Sequence, residues 1–311
     1  MMHIREIIRR CDHTLLRPDA CAQEVKTLCD QGLKYGFASV CIPPCHVAGA
    51  KVYTRGALQI CTVIGFPGGY STTAAKVFET KDAVQNGADE IDLVVNLAMV
   101  KDGCWNDILS EMKEVRGACP GKLLKVIIET SALTREEKIH LCSLVSQSGA
   151  DFIVASTGFG DRGATREDVT LLRQNCAANV HIKASGGINS LQDAEDFLKR
   201  GADRVGTTRM LKLAADAGLL GEQPVNPPAE VGGGQAESQP QQGEGQADLA
   251  QELQWSPGVV PDVPPQDDVD QKPDQELDSG DDQSPQPALE PEGEPAADHN
   301  EVQGGETETA G

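Results

Sequence analysis

The sequence predicts an α/β protein in which residues 1–220 close into a single (β/α)8 barrel and residues 221–311 follow as an acidic tail. Three observations carry that expectation. Eight short runs rich in Val, Ile and Leu alternate with longer segments of helical period, as parallel strands covered on both faces require. Three junctions repeat the same tripeptide, at Gly87-Ala88-Asp89, Gly149-Ala150-Asp151 and Gly201-Ala202-Asp203. Glycine there can take the left-handed conformation that ends a helix just before a strand. Charge is also divided unevenly. The last 91 residues hold 22 of the 48 acidic residues and one of the 27 basic ones, Lys272, so the net charge of −21 lies in the tail.

Strands are expected at 12–16, 38–42, 59–65, 90–96, 123–129, 152–156, 181–184 and 204–207. Between them, 74–86 places Val77, Val84 and the stem of Lys81 on one helical face, and 105–115 gathers Ile108, Leu109, Met112 and Val115. Segment 136–146 does the same with Ile139, Leu141, Leu144 and Val145, and 191–198 stops before Gly201. Alternating strands and helices with right-handed crossovers give a parallel sheet, and eight units within about 210 residues favour a closed barrel over an open sheet.

The front 220 residues suffice for a large core. The tail, rich in Pro, Gly, Gln, Asp and Glu, cannot bury enough apolar surface to offset the entropy of ordering and is expected to be disordered. Its charge disfavours nucleic acid and anionic membrane and aids solubility. Within it, 248–255 sets Leu249 and Leu253 on one side of two helical turns beside Trp255, a piece of the kind that docks into a protein partner's groove. Oligomeric state is not specified, and a homo-oligomer fits.

All ten cysteines lie between Cys11 and Cys176. Cys41, Cys45 and His46 come nearest to a metal cluster, but no second half-site follows at zinc spacing, so no metal is expected. Reduced thiols suit a cytoplasmic protein. The charged N-terminus does not resemble a secretory signal, and no run of 18 apolar residues occurs.

In such barrels chemistry gathers at the C-terminal ends of the strands. Those ends carry Asp12, Asp92, Asn96, Glu129, Thr157-Gly158, Lys183, Gly186-Gly187 and Gly206-Thr207. The paired glycines before Ile188 and the Gly206-Thr207-Thr208 turn suit a phosphate approached by backbone N–H groups. Asp92, Lys125 and Lys183 lie inside apolar strands, where a charge is costly unless paired or used for proton transfer. Asp92 shares a strand face with Glu90, Val94 and Asn96.

Six motifs in order resemble the deoxyribose-phosphate aldolase family: Asp12-His13-Thr14-Leu15-Leu16, Val63-Ile64-Gly65-Phe66-Pro67, Gly87 through Asp92, Leu124 through Thr130, Ser156-Thr157-Gly158-Phe159, and Lys183 through Ile188. The resemblance runs from about residue 7 to residue 215 and leaves out the tail. It implies reversible cleavage of 2-deoxyribose 5-phosphate to glyceraldehyde 3-phosphate and acetaldehyde, without metal or other cofactor. It implies a strand-six lysine that forms a Schiff base as electron sink, with an aspartate, a second lysine and a water moving protons. By motif the aspartate is Asp92, the second lysine Lys183 and a supporting carboxylate Asp12. Phosphate contacts map onto Gly158, Gly186, Gly187, Gly206 and Thr208. Arg209 stands where the family usually has a small residue.

One departure is decisive for the chemistry. The family writes Lys-Thr-Ser-Thr-Gly-Phe where this chain has Val154-Ala155-Ser156-Thr157-Gly158-Phe159, so the Schiff-base position is Val154. Pro43 also replaces a frequent asparagine. Four readings stay open: a sugar-phosphate binder, scaffold or regulator without aldol chemistry; an aldolase using Lys183 or, next, Lys125; a different acid–base reaction on a phosphorylated substrate; and a chain carrying an inactivating substitution. Asp92 and Asp12 are expected to hold Lys183 protonated, which opposes its use as a nucleophile.

Overall fold

The computed structural model describes residues 2–220. The expected tail and its 248–255 segment lie outside the described residues. Eight strands close in sequence order, each parallel to its neighbours: β1 (Cys11–Thr14), β2 (Ser39–Ile42), β3 (Ile60–Ile64), β4 (Glu90–Val94), β5 (Leu123–Ile127), β6 (Phe152–Val154), β7 (His181–Ser185) and β8 (Arg204–Thr207). Closure is made by β1 on β8, where Asp12 is registered with Gly206.

The helices are α1 (Ile4–Arg9), α2 (Ala22–Tyr35), α3 (Val47–Thr54), α4 (Thr73–Gln85), α5 (Leu97–Lys101), α6 (Trp105–Ala118), α7 (Arg135–Ser148), α8 (Arg166–Asn175), α9 (Leu191–Lys199) and α10 (Met210–Asp216). Thr134 and Thr165 start α7 and α8 with capping boxes to Glu137 and Asp168, which satisfy backbone N–H groups that lack helical partners. Gly149 ends α7 in the left-handed conformation at φ 80°, as its place in the repeated tripeptide requires. The main core lies between sheet and helices and includes Ile60, Leu93, Ile108, Met112, Val126, Leu141 and Val205. No helix among the described residues is long and apolar enough to cross a membrane.

Two expectations are corrected. Several strands end earlier than their apolar runs: Val95 and Ile128 each make one more bond to the neighbouring strand, to Ile127 and Val154, and the residues after them leave the ladder. Asn96 caps α5 by accepting from the N–H groups of Ala98 and Met99, and Glu129 turns at φ 51°. On α4 the buried residues are Lys76, Thr80 and Ala83, while Lys81 is exposed. Lys76 Nζ reaches Glu111 Oε1 at 2.6 Å and the Val94 carbonyl at 3.0 Å. Val77 and Val84 pack against the core as expected, so the correction concerns Lys81 alone, and the buried lysine of this helix is Lys76.

Candidate active site

Alternation along the strands sends Asp12, Glu90, Asp92, Lys125, Lys183 and Arg204 into one buried network. Lys183 Nζ bridges Asp12 Oδ2 at 2.6 Å and Asp92 Oδ2 at 2.7 Å. Beneath it, Lys125 Nζ meets Asp92 Oδ1 and Glu90 Oε2, both at 2.7 Å, and Asp12 Oδ2 at 3.5 Å. Arg204 Nη1 closes the ring on Asp12 Oδ1 at 2.9 Å and Glu90 Oε2 at 2.6 Å. Three carboxylates thus face three cations, and mutual compensation is what makes so many charges tolerable inside a barrel.

Burial opposes ionisation of Asp12, but Lys183, Lys125 and Arg204 overcome it and hold the carboxyl below the usual carboxylate range. Asp92 behaves alike, with burial outweighed by Lys125 and Lys183. Burial would neutralise Lys183, yet Asp12 and Asp92 raise it above an ordinary lysine. Lys125 is raised for the same reason, by Asp92, Cys61, Glu90 and Asp12 against burial. Both lysines are therefore ammonium ions at neutral pH.

Above this network the strand ends open into a cavity of about 270 Å³. Asp92 and Lys183 reach its floor, and Gly158, Gly186, Gly187, Gly206, Thr208 and Arg209 line its rim. Gly186 and Gly187 have φ of 69° and 71°, a conformation that favours glycine. A side chain added at Gly163 would lie 2.2 Å from both Gly186 C and Gly187 N, so the loop after β6 packs directly on the backbone after β7. Glu129 fixes the same loop, its Oε2 accepting from Thr157 N at 3.0 Å and Thr157 Oγ1 at 2.5 Å. Arg209 Nη1 donates to Asn189 Oδ1 at 2.9 Å across the rim. The mouth's other arginine, Arg17, is engaged by Asp19 and Glu24.

Val154 lies in an apolar wall with Val94 and Ile127, against which Phe66 packs. Its register partner on β7 is Lys183. Position 154 thus faces the cavity beside Lys183 and brings only methyl groups. Of the lysines, Lys183 alone lines the cavity among the described residues.

Asp12 and Lys125 lie one layer below the cavity, while Asn96 and Glu129 serve as a helix cap and a loop anchor. In the sequence Glu90 is marked only as a same-face neighbour of Asp92, and Arg204 only by its place in the β8 run. Its signal was a charge two residues before Gly206 in β8, the same period-two pattern that marks Glu90 and Asp92. The cysteine–histidine cluster is also revised. His46 Nε2 lies 3.0 Å from the Ala20 carbonyl, and Cys45 is exposed. Cys41 instead groups with Cys61 and Asp92, their ligand atoms all within 4.8 Å of one another. Lys125 Nζ, 3.1 Å from Cys61 Sγ and 2.7 Å from Asp92 Oδ1, already supplies a cation to Cys61 and Asp92.

The family model described as DeoC/LacD family aldolase matches residues 7–212. This chain belongs to that family. A deoxyribose-phosphate aldolase of Streptococcus pyogenes serotype M4 is 51% identical over 212 residues, which cover 68% of this chain and 95% of the relative. Among solved structures, QR15, an aldolase, is 35% identical at a TM-score of 0.66, covering 68% of this chain and 96% of its own. The tetrameric deoxyribose-phosphate aldolase of Aeropyrum pernix is 28% identical at a TM-score of 0.63, covering 70% and 93%.

Proposed function

We propose that this chain acts on 2-deoxyribose 5-phosphate as an aldolase, cleaving it reversibly to glyceraldehyde 3-phosphate and acetaldehyde, at a rate strongly lowered by valine at position 154. The observation that carries the reading is the mouth itself: Lys183 and Asp92 on the floor, with Gly158, Gly186, Gly187, Gly206 and Thr208 on the rim. The phosphate sits against the rim, where glycine allows close approach to backbone N–H groups. The aldehyde end points down toward Lys183 and Val154.

Cleavage of the C2–C3 bond needs an electron sink at C1. An iminium supplies one, and Lys183 is the amine within reach. Its nitrogen must first release a proton, for which Asp92 at 2.7 Å is the acceptor. The amine then adds to C1, water leaves, and the C3 hydroxyl gives up its proton as C2–C3 breaks into the iminium. Protonation at C2 and hydrolysis release acetaldehyde. Two carboxylates oppose the first step by holding the proton on Lys183, and no second lysine in the cavity remains to assist, hence the low rate.

A second reading is favoured by the apolar wall at Val154: the mouth holds a sugar phosphate without turnover, and the chain works as a binder or regulator. Borohydride reduction in the presence of 2-deoxyribose 5-phosphate separates the two. Trapping of a two-carbon adduct on Lys183 supports the aldolase. Calorimetric binding with no adduct on any lysine supports the binder and removes the aldolase. Self-association and a cytoplasmic location belong to the same proposal, supported by the tetrameric relative and by ten free thiols.

A further inference from the structure

We infer that Cys41 and Cys61 form a dithiol site that hydrogen peroxide entering the barrel mouth oxidises to an intramolecular disulfide. Neither thiol has a part in the aldol chemistry above. The β2–β3 register pairs Cys41 directly with Cys61, and the two cluster with Val63 inside the barrel. Adjacent strands lie about 4.8 Å apart, within the ~4.4–6.8 Å between Cα atoms that a disulfide spans. The two Sγ atoms already lie within 4.8 Å of each other.

Access is unequal. Cys41 lines the cavity, whereas Cys61 is fully buried beneath it. Lys183 interacts electrostatically with Cys41, and Lys125 Nζ touches Cys61 Sγ at 3.1 Å. A thiol at the cavity wall with a second thiol within disulfide reach is the arrangement in which a sulfenic acid is resolved as a disulfide. Burial, the Cys41 thiol and the Asp92 carboxylate all push the Cys61 thiol up, so Cys61 takes the second step.

The electrons balance in two steps. The deprotonated Cys41 sulfur attacks one peroxide oxygen, the O–O bond breaks, and the departing oxygen leaves as water with the proton released by Cys41. Cys61 sulfur then attacks the Cys41 sulfenic sulfur. The S–O bond breaks, S–S forms, and the hydroxyl leaves as water with the Cys61 proton. The two thiols are oxidised and the peroxide is reduced to two waters. The disulfide also removes the Cys61 hydrogen bond that Asp92 Oδ1 accepts at 3.2 Å.

The test is peptide mapping of the full chain after graded hydrogen peroxide and thiol blocking. Cys142 and Cys176, a second interacting thiol pair on α7 and at the end of α8, are the internal control, being away from the mouth. The expected result is a Cys41–Cys61 link with loss of two hydrogens in the folded protein. In Cys61→Ser the expected product is a dimedone-reactive Cys41 and no link. Slower linking with saturating 2-deoxyribose 5-phosphate, but not at Cys142–Cys176, shows entry by the mouth. A link that appears only in urea, or a Cys142–Cys176 link with Cys41 left reduced, overturns the inference. The link requires no turnover, so it stands or falls apart from the aldolase reading.

Discussion

Replacing Asp12 by asparagine keeps the shape of the buried network and removes one charge from it. Asp12 is fully buried and faces Lys183 at 2.6 Å, Arg204 at 2.9 Å and Lys125 at 3.5 Å. The variant leaves three cations facing two carboxylates. Removing one partner of a buried ion pair costs about 3–5 kcal/mol because a charge stays uncompensated. Against a whole-domain stability of about 5–15 kcal/mol that is a large fraction. With a urea slope of about 2–3 kcal/mol per molar, the midpoint should fall by roughly 1–2.5 M at pH 7, with the slope unchanged. The sign with pH follows from the depressed carboxyl. Its stabilisation is fully present above the ordinary carboxylate range and lost as pH falls through the lower folded value. The gap between native and variant should therefore narrow toward acid. Urea unfolding at pH 7 and at pH 3 measures both effects. A loss under about 1 kcal/mol at pH 7, the size of an exposed pair, would refute the idea that Asp12 anchors a compensated network.

Arg209→Ala should weaken binding of 2-deoxyribose 5-phosphate about tenfold or more, as loss of a charge-assisted hydrogen bond of about 1.5–3 kcal/mol implies, and leave 2-deoxyribose unaffected; titration calorimetry with both sugars decides it. Lys76→Met strands Glu111 in the core and should cost about 3–5 kcal/mol, most of it recovered in Lys76→Met/Glu111→Leu; thermal unfolding of the single and double variants checks this. Gly163→Ala pushes a methyl into the backbone at Gly186 and Gly187 and should abolish phosphate binding while secondary structure persists; unchanged phosphate affinity would show that the rim is not built on that contact.

The strands were legible because each is a dense apolar run and the glycine junctions fix where helices stop. Their C-terminal limits were not, because Val95 and Ile128 still donate to the neighbouring strand and pack in the core, and only the next residues, Asn96 and Glu129, leave the ladder to cap a helix and anchor a loop. Lys76 is not legible as a core residue, since periodicity weighs hydrophobicity and does not register that Glu111 on another helix neutralises it. The charges of the site were visible one by one, yet their pairing was not. Asp12 meets Arg204 only because β8 closes on β1, a contact across 192 positions of sequence. The paired glycines after β7 and the Gly206 turn are readable in the sequence as loops suited to a phosphate, whereas Gly158 joins them only through the family resemblance. Val154 was readable as a departure, but its apolar neighbours Val94, Ile127 and Phe66 come from separate segments.

Valine at 154 is proposed to limit cleavage at an otherwise assembled mouth. The direct measurement is the rate of 2-deoxyribose 5-phosphate cleavage by the native chain beside its Val154→Lys variant, with acetaldehyde followed by a coupled dehydrogenase. The expected result is slow or undetectable turnover in the native chain and a gain of at least about a hundredfold in the variant, the lower range of what a positioned catalytic group contributes. Rapid native turnover, unchanged or reduced by the lysine, would contradict it.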